Sequence, residues 1–438
     1  MKSVWENETV MPRFDSLSGD EKADVLVVGG GMAGLLTAYM LKRCGVDCAV
    51  AEAGKICGAT TGNTTAKITL QHGLIYDKLM KSFGAERARM YLEANLKALR
   101  EYETLAKAIP CEYEKRDAYV YSLDSIKKIE RELEAYAALS LDASLSFADK
   151  LPFKTVGAVR VKNQAQFNPL MLIREIASGL RIYENTRVIS LGNGEALTAK
   201  GKIKYEKAVV ATHFPFIDRR GLYFLKMYQS RSYVLALNNA ADVGGMYVDE
   251  NNRGLSFRNY HGMLLMGGGA HRTGKKQGGM DEVIAFAKSY YPNSEILYKW
   301  AAQDCMTLDT VPYIGRYSRL SRDVFVATGF NKWGMSGSMV AAMLLKDFIL
   351  ERKNDYQSVF SPSRSIFHPQ LALNAFESAV GLLRPTAPRC THLGCALKYN
   401  KAEHSWDCSC HGSRFSESGE VLNNPANKNK KKMPKRDN

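Results

Sequence analysis

The 438-residue sequence predicts an α/β fold in three parts: a parallel-sheet domain, an α+β subdomain interleaved with it, and a small C-terminal β module. Three observations carry this prediction. Between Asp24 and Glu52 an apolar run, a glycine-rich turn, a helical stretch and a second apolar run ending in an acid follow one another. In the middle of the chain helical and strand-like periodicities alternate, enough for a second subdomain. In the last fifth stand two Cys/His hexapeptides, beginning at Cys390 and Cys408, with fifteen residues between His392 and Cys408.

Composition sets the frame. Hydrophobic residues make up 45% and charged residues 24%, as in ordinary globular proteins. The length suits two or three domains. No apolar run approaches the length of a membrane span, and Met1 to Lys22 has no signal-peptide core. The expected location is therefore cytoplasmic. The formal net charge is +15. Part of it is a terminal block, Lys428, Lys430, Lys431, Lys432, Lys435 and Arg436, which reads as a solvated, disordered tail over 428–438. Such a block could also touch RNA or an acidic partner. Cys44, Cys48, Cys57, Cys111 and Cys305 show no paired spacing and are expected to be reduced.

The first element is a buried strand, Asp24 to Val28, followed by Gly29-Gly30-Gly31-Met32-Ala33-Gly34 and a helix from Leu35 to Arg43. A second strand, Asp47 to Val50, leads to Glu52. This is G-x-G-x-x-G in its strand–helix context with an acid about twenty residues on, the pattern of a dinucleotide site. Gly29 allows the tight turn, Gly31 lets backbone amides approach a pyrophosphate, and Gly34 lets helix pack on sheet. Glu52 would hold ribose hydroxyls.

The middle of the chain supplies the second subdomain. Residues 82–108 form an amphipathic helix, Asp124 caps a second one running to Leu139, and Asn168-Pro169 opens a third. Residues 229–238 and 245–269 alternate as strands, broken at Gly262 and at Gly267-Gly268-Gly269. Tyr205 to Thr212 reads as a strand. Val324 to Met335 reads as a strand and turn, followed by a helix from Ser338 to Glu351. Gln370 to Leu383 is helical in pattern.

These segments, with Thr60-Thr61-Gly62-Asn63-Thr64-Thr65-Ala66-Lys67, resemble the D-amino acid oxidase superfamily of FAD enzymes over roughly residues 22–364. The resemblance implies a Rossmann-type FAD-binding domain (about 22–80, 155–215 and 300–352) interleaved with an α+β substrate subdomain (about 81–154 and 216–299), the whole spanning 1–365. It assigns ADP to Gly29, Gly31, Gly34 and Glu52. It assigns the pyrophosphate and flavin to Thr61, Gly62, Thr64, Thr65, Gly329, Asn331, Gly334 and Met335. Relatives often clamp a substrate carboxylate with Arg or Tyr from the second subdomain. Arg258, Tyr260, His271 and Arg272 are the candidates, with Arg258 preferred for its bidentate fork. His72 reads as a core histidine. Cys305 falls near the position where sarcosine oxidases tether FAD.

Two thiolates and two imidazoles converging from the hexapeptides suit a [2Fe–2S] cluster, although C-x-H and C-x-C-H also suit tetrahedral zinc. The pair of hexapeptides resembles the Rieske signature. That resemblance places Cys390 and Cys408 on one iron and His392 and His411 on the other, and it implies a Cys395–Cys410 disulfide. Departures are visible. Only 25 residues separate Arg364 from Cys390, too few for a Rieske base sheet. Residues 366–385 are therefore expected to be a linker helix, and 386–427 a truncated Rieske module packed on the flavoprotein body. Phe415 replaces an aromatic hydroxyl that bonds a ligand sulfur in the family, leaving Ser413 as the remaining hydroxyl, and Asn424-Pro425-Ala426 replaces Gly-Pro-Ala.

The combined expectation is an FAD-dependent oxidoreductase with a Rieske [2Fe–2S] cluster. It would act as a dehydrogenase on a small amine or amino-acid-like substrate and pass electrons through the cluster to a one-electron carrier protein or quinone-type acceptor. The alternatives are an RNA-modifying flavoenzyme and a redox-sensing or electron-transfer flavoprotein without a small-molecule substrate.

Overall fold

The computed structural model describes residues 2–217, 220–251, 254–275, 279–385, 387–431 and 433. The end of the expected disordered tail, Lys432, Lys435 and Arg436 included, lies outside the described residues. The part before it follows the module surface. Lys430 donates its amide to the Gly419 carbonyl, and Asn429 accepts from the Val421 amide.

The predicted nucleotide sheet forms around the strand Glu21–Val28. It pairs in parallel with Gly201–Val210 on one side and Cys48–Ala51 on the other. Val324–Thr328 and Arg181–Tyr183 extend the parallel sheet outward, and Tyr313–Arg316 closes one edge antiparallel. The strand interiors (Val25, Leu26, Val27, Val209, Val326) are buried, which explains their unbroken apolar runs. The helices Met32–Lys42 and Gly334–Ile349 pack against each other beside the sheet.

The second sheet has nine strands. Its central path runs from Glu295–Thr307 through Met227–Asn238, Met263–Arg272, Ser256–Tyr260, Met246–Asp249, Glu114–Ser122 and Gly157–Gln166 to Lys67–Ile68. Three of these strands (Lys67–Ile68, Gly157–Gln166 and most of Glu295–Thr307) lie in segments that sequence assigns to the nucleotide half.

Local expectations differ in three places. The long helix spans Tyr76–Ala108 and bends at Gly84, whose backbone is non-helical. Its first turn is capped from afar: the Glu132 carboxylate accepts from the amides of Tyr76 and Asp77, each at 2.9 Å. The helix Ile126–Ala138 has Ser125, not Asp124, at its N-cap. Met263–Arg272 runs straight through Gly267 and Gly268, and the register slips opposite, between Arg231 and Tyr233. Gly269 takes a φ of +63°, and a Cβ there would meet the Gly279 carbonyl oxygen at 2.3 Å, so the glycines make an irregularity, not a break. By contrast, Asn168 caps Pro169–Ser178 as read, accepting from Leu170 and Met171.

The C-terminal module is a four-stranded antiparallel sheet, Leu397–Asn400, Ser405–Cys408, Arg414–Ser416 and Val421–Asn423. The helix Pro369–Leu383 precedes it, as the periodicity predicts. Among the described residues no helix is long and apolar enough to cross a membrane.

Candidate functional site

One cavity of about 390 Å³ runs between the two sheets. Its first end is built by the glycine turn. Gly29 has φ +111°, and a Cβ there would meet the Ala211 carbonyl oxygen at 2.4 Å. At Gly34 a Cβ would meet the Gly29 oxygen at 2.0 Å, so the helix packs on the turn only without a side chain. Gly31 is the N-cap of Met32–Lys42 and makes no side-chain cap bond. A Cβ at Gly31 would meet only Thr61 Oγ1 at 3.4 Å, so the turn is open toward the cavity. Glu52 also lines the cavity and accepts from the Gly30 and Gly54 amides at 2.7 and 2.8 Å; burial pushes its pKa up. A helix N-terminus open to a cavity beside a strand-end carboxylate suits a nucleotide pyrophosphate and ribose.

Of the other residues expected at FAD, Thr61, Thr64, Thr65, Gly334 and Met335 line the cavity. Gly62, Gly329 and Asn331 stand behind its wall. A Cβ at Gly62 would meet the Cys57 oxygen at 2.6 Å, and one at Gly329 would meet Thr307 Cγ2 at 2.3 Å. Asn331 accepts from the Thr307 amide at 2.8 Å and donates to the Gly329 carbonyl, which fixes the turn.

The three predicted catalytic residues do not reach the cavity. Arg258 is 1% exposed and spends its guanidinium on the carbonyls of Thr65 (2.9 Å) and Ala66 (2.8 Å), over the ring of Trp5. It shapes the threonine segment from behind. The Tyr260 hydroxyl sits among Glu8, Glu112 and Asn168. His271 faces the Gly269 carbonyl at 3.0 Å and stacks on Tyr233. Arg272 turns the other way, toward the C-terminal module. Cys305 is packed among Val210, Phe214, Tyr223 and Met227, outside the cavity lining, and burial pushes its thiol pKa up. That placement argues against a tether to FAD.

The side chains that do line the second end are Lys67, His72, Asp304, Lys332 and Trp333. Burial lowers the Lys67 amine to about 7, helped by the Arg258 charge. Burial raises Asp304 to about 6, and it lowers Lys332, against the opposing pull of Asp304. His72 is held neutral by burial, with Nδ1 2.5 Å from the Tyr91 hydroxyl and Nε2 2.8 Å from Ser336 Oγ, as a core histidine should be. Lys332 follows Asn331 in the left-handed region (φ +72° and +51°), a conformation that sequence does not announce. Asp304 could have been found by alternation, since Ala302 and Asp304 face the cavity from one side of their strand.

The expected cluster ligands converge. The rings of His392 and His411 are 5.0 Å apart and nearly perpendicular. Cys390 and Cys408 are buried with their thiols in hydrogen-bond contact, and Ser413 Oγ bonds Cys390. Two thiols and two imidazoles meeting at one point, with His392 half-buried and the other three buried, can hold a [2Fe–2S] cluster. The Cys395, Cys408 and Cys410 sulfurs lie within 4.8 Å of one another. No disulfide joins Cys395 and Cys410 in this structure, and their sulfurs lie close enough for the expected bond.

The module is seated against the second sheet and the cavity together. Gln229, Arg231 and Tyr233 alternate along one strand toward it. Gln229 Nε2 donates to the carbonyls of His411 and Asn424, both at 2.7 Å. Gln303 Nε2 donates to Gly412 O at 2.8 Å and to Gln229 Oε1 at 2.6 Å. Arg231 and Tyr233 bond Glu403, which Arg414 also bonds, and these contacts hold the Glu403 carboxyl down to about 2 against its burial. Arg272 donates to the carbonyls of Ser409 (2.9 Å) and Cys410 (2.8 Å). Asn424, the departure from Gly-Pro-Ala, donates to the carbonyls of Thr212 and Phe214. The Phe214 ring lies 6.4 Å from the His392 ring. Val421 to Pro425 and Asn427 line the same cavity as Gly31 and Glu52.

Comparison with known proteins agrees with both halves. Residues 24–348 match the family model of FAD dependent oxidoreductases, and residues 363–434 match the Rieske [2Fe-2S] domain. The Bacillus subtilis protein YhfW, described as a Rieske 2Fe-2S iron-sulfur protein, is 34% identical over 97% of this chain and 96% of its own. The gamma-glutamylputrescine oxidoreductase of Escherichia coli is 22% identical over 77% of this chain and 85% of its own. Among solved structures, glycine oxidase from Geobacillus kaustophilus superposes with a TM-score of 0.66 at 17% identity, covering 79% of this chain and 99% of its own.

Proposed function

The chain belongs to the FAD-dependent oxidoreductase family and carries a Rieske [2Fe–2S] domain, and from that premise we propose a dehydrogenase for a small amine or amino-acid-like substrate whose electrons leave through the cluster to an external one-electron acceptor. The observation that carries this reading is the shared cavity wall. The segment 421–425 of the cluster module and the glycine turn of the flavoprotein domain line one space. FAD when bound takes two electrons from the substrate, and a Rieske cluster handles one at a time.

The chain's own residues divide the remaining work. Gly29, Gly31, Glu52 and Thr61 would hold the nucleotide part, with Gly34 letting the helix pack on the turn, and Thr64, Thr65, Gly334 and Met335 the flavin part. Cys390, His392, Cys408 and His411 would hold the cluster. At the second end of the cavity Lys332 and Asp304 present a cation and an anion, which suits the carboxylate and ammonium of an amino-acid-like compound. Lys67, with its amine near neutrality, would take the proton that a substrate ammonium must lose before oxidation. The sheet strand bearing Ala302 and Asp304 on its cavity side bears Gln303 on the module side, so one layer of backbone separates substrate end from cluster loops. The names of relatives acting on gamma-glutamylputrescine and glycine support the amine class.

The test is anaerobic mixing of the holoenzyme with a panel of amines and amino acids. The reading expects flavin bleaching by at least one of them, followed by the reduced cluster's paramagnetic signal. Bleaching that never reaches the cluster would refute the relay.

A further inference from the structure

The helix Pro369–Leu383 is amphipathic the wrong way round. Its inner face is small and polar. Asn374 donates to the Leu225 carbonyl and accepts from Arg272. Ser378 Oγ faces His411 Nε2 at 3.5 Å. A Cβ on Gly381 would meet Cys410 Sγ at 2.4 Å, so the helix rests directly on the second cluster loop. Its outer face is apolar: Leu373, Phe376, Val380 and Leu383, spaced three or four apart, are 55%, 64%, 37% and 80% exposed. A surface helix normally turns such a stripe inward, and a contiguous exposed one marks an interaction site. The stripe continues onto the first cluster loop. Arg389 Nη1 bonds the carbonyls of Gly381, Leu382 and Gly394 together, and Leu393 beside them is exposed.

The border of this stripe is basic. Arg384 is exposed at the helix end, Arg389 ties the loop, and Lys398 lies in the combined field of Arg384 and Lys275. Lys275 pairs with Glu377 at 2.5 Å. The chain as a whole carries +15. Apolar centre and charged rim are the anatomy of a protein docking surface, and the rim's sign selects the partner while steering its approach.

We propose that the outer face of the 369–383 helix, with Leu393, is the docking surface for an acidic one-electron carrier protein. The inference rests on the reading that electrons pass between cluster and acceptor, and it names the acceptor's class and landing place. In the step itself one electron leaves the reduced cluster and reduces the carrier; no bond forms and no proton moves. The apolar stripe brings the carrier against the helix that covers His411 and Cys410, and the basic rim holds acidic side chains around it.

The experiment uses full-length holoenzyme, with an acidic plant-type [2Fe–2S] ferredoxin as probe and a basic cytochrome c as the opposite-charge control. Binding is measured by titration, and electron exchange by stopped flow in the downhill direction. Wild type is expected to bind ferredoxin more tightly than cytochrome c, with affinity falling as salt rises. The double variant F376S/L383S and the variant R384E should each weaken ferredoxin binding about tenfold or more. The cluster's paramagnetic spectrum and photochemical flavin-to-cluster transfer without carrier should be unchanged. Unaltered ferredoxin binding in these variants overturns the proposal. So does a dimer that F376S/L383S dissociates in sedimentation velocity, which assigns the face to a second copy. Loss only of binding to phosphatidylglycerol vesicles assigns it to a membrane and overturns the proposal as well. Absence of flavin-to-cluster transfer in wild type would refute the parent reading, while the binding comparison still decides the surface.

Discussion

Gln303 donates a 2.8 Å hydrogen bond to the carbonyl of Gly412, the residue after cluster ligand candidate His411, while its neighbours Ala302 and Asp304 line the cavity. One strand therefore touches both the cavity and a cluster-loop carbonyl with alternate side chains. Strand geometry makes this arrangement inexpensive: successive side chains point to opposite faces, so a single rigid element fixes the distance between two sites. Gln229 does the same from the paired strand, holding His411 and Asn424 through their carbonyls. A module of about forty residues buries too little to position itself, and these bonds do that for it.

Replacing Gln303 by Leu should loosen this seam. The buried Gly412 carbonyl and Gln229 Oε1 would lose their donor, costing about 1–3 kcal/mol of stability. Cluster reduction after flavin photoreduction should slow, with the cluster's spectrum unchanged. A variant as fast and as stable as wild type would show that Gln303 does not set the separation.

Glu403 makes the seam sensitive to acid. Arg231, Arg414 and Tyr233 hold its carboxyl down to about 2, against an ordinary value of 4.5. The contribution is complete above pH 4.5 and is lost as pH falls toward 2, a difference of roughly 3 kcal/mol. Urea unfolding at pH 6 and at pH 2.5 should show wild type losing most of that difference, about 2.5 kcal/mol, relative to E403Q. Equal losses in the two proteins would remove Glu403 from the account.

The cysteines separate by role. C408S should abolish the cluster's visible and paramagnetic features while FAD stays bound, because Cys408, like Cys390, His392 and His411, is not part of the cavity lining. Under oxidising conditions intact mass should fall by the two hydrogens of one Cys395–Cys410 bond, since these sulfurs already lie within 4.8 Å. Two reactive thiols persisting at 395 and 410 after oxidation would contradict the pairing.

Gly29 and Gly31 test different things. G29A places a Cβ 2.4 Å from the Ala211 oxygen at φ +111°, so both fold and FAD content should suffer, by at least about 1–3 kcal/mol of stability. G31A meets nothing nearer than 3.4 Å and projects into the cavity. It should keep its unfolding midpoint and lose FAD affinity. Thermal unfolding of the apoproteins alongside bound-flavin absorbance distinguishes the two outcomes.

What was legible in the sequence was local or strongly patterned. The strand, turn and helix around Gly29 to Gly34 are fixed by neighbours, and the Cys/His hexapeptides carry their chemistry in their spacing. Arg258 was misread because its partners, the Thr65 and Ala66 carbonyls, lie almost two hundred residues away in the chain. A buried arginine bonded to backbone looks the same in sequence as one clamping a carboxylate. Lys332 was missed because its presentation depends on two consecutive left-handed residues. Asn424 departs from the family's Gly-Pro-Ala, and only the fold shows that its amide bonds the carbonyls of Thr212 and Phe214 and so couples module to cavity.

Lys67 offers the sharpest test of the substrate chemistry. Its amine is buried beside the Arg258 charge, within 3.2 Å of Thr65 Oγ1, and is lowered to about 7. An amine of that acidity is charged below pH 7 and free to accept a proton above it. The rate of anaerobic flavin bleaching by substrate should therefore rise with pH through a midpoint near 7. K67M should lose this limb and fall about 10²–10⁴-fold above it, the usual worth of a positioned base. A substrate already deprotonated in solution should rescue part of the loss, which a merely structural lysine would not allow. If K67M keeps the rising limb, the titrating group lies elsewhere in the cavity, and D304N, which alters the acid that titrates near 6, becomes the variant that must shift it.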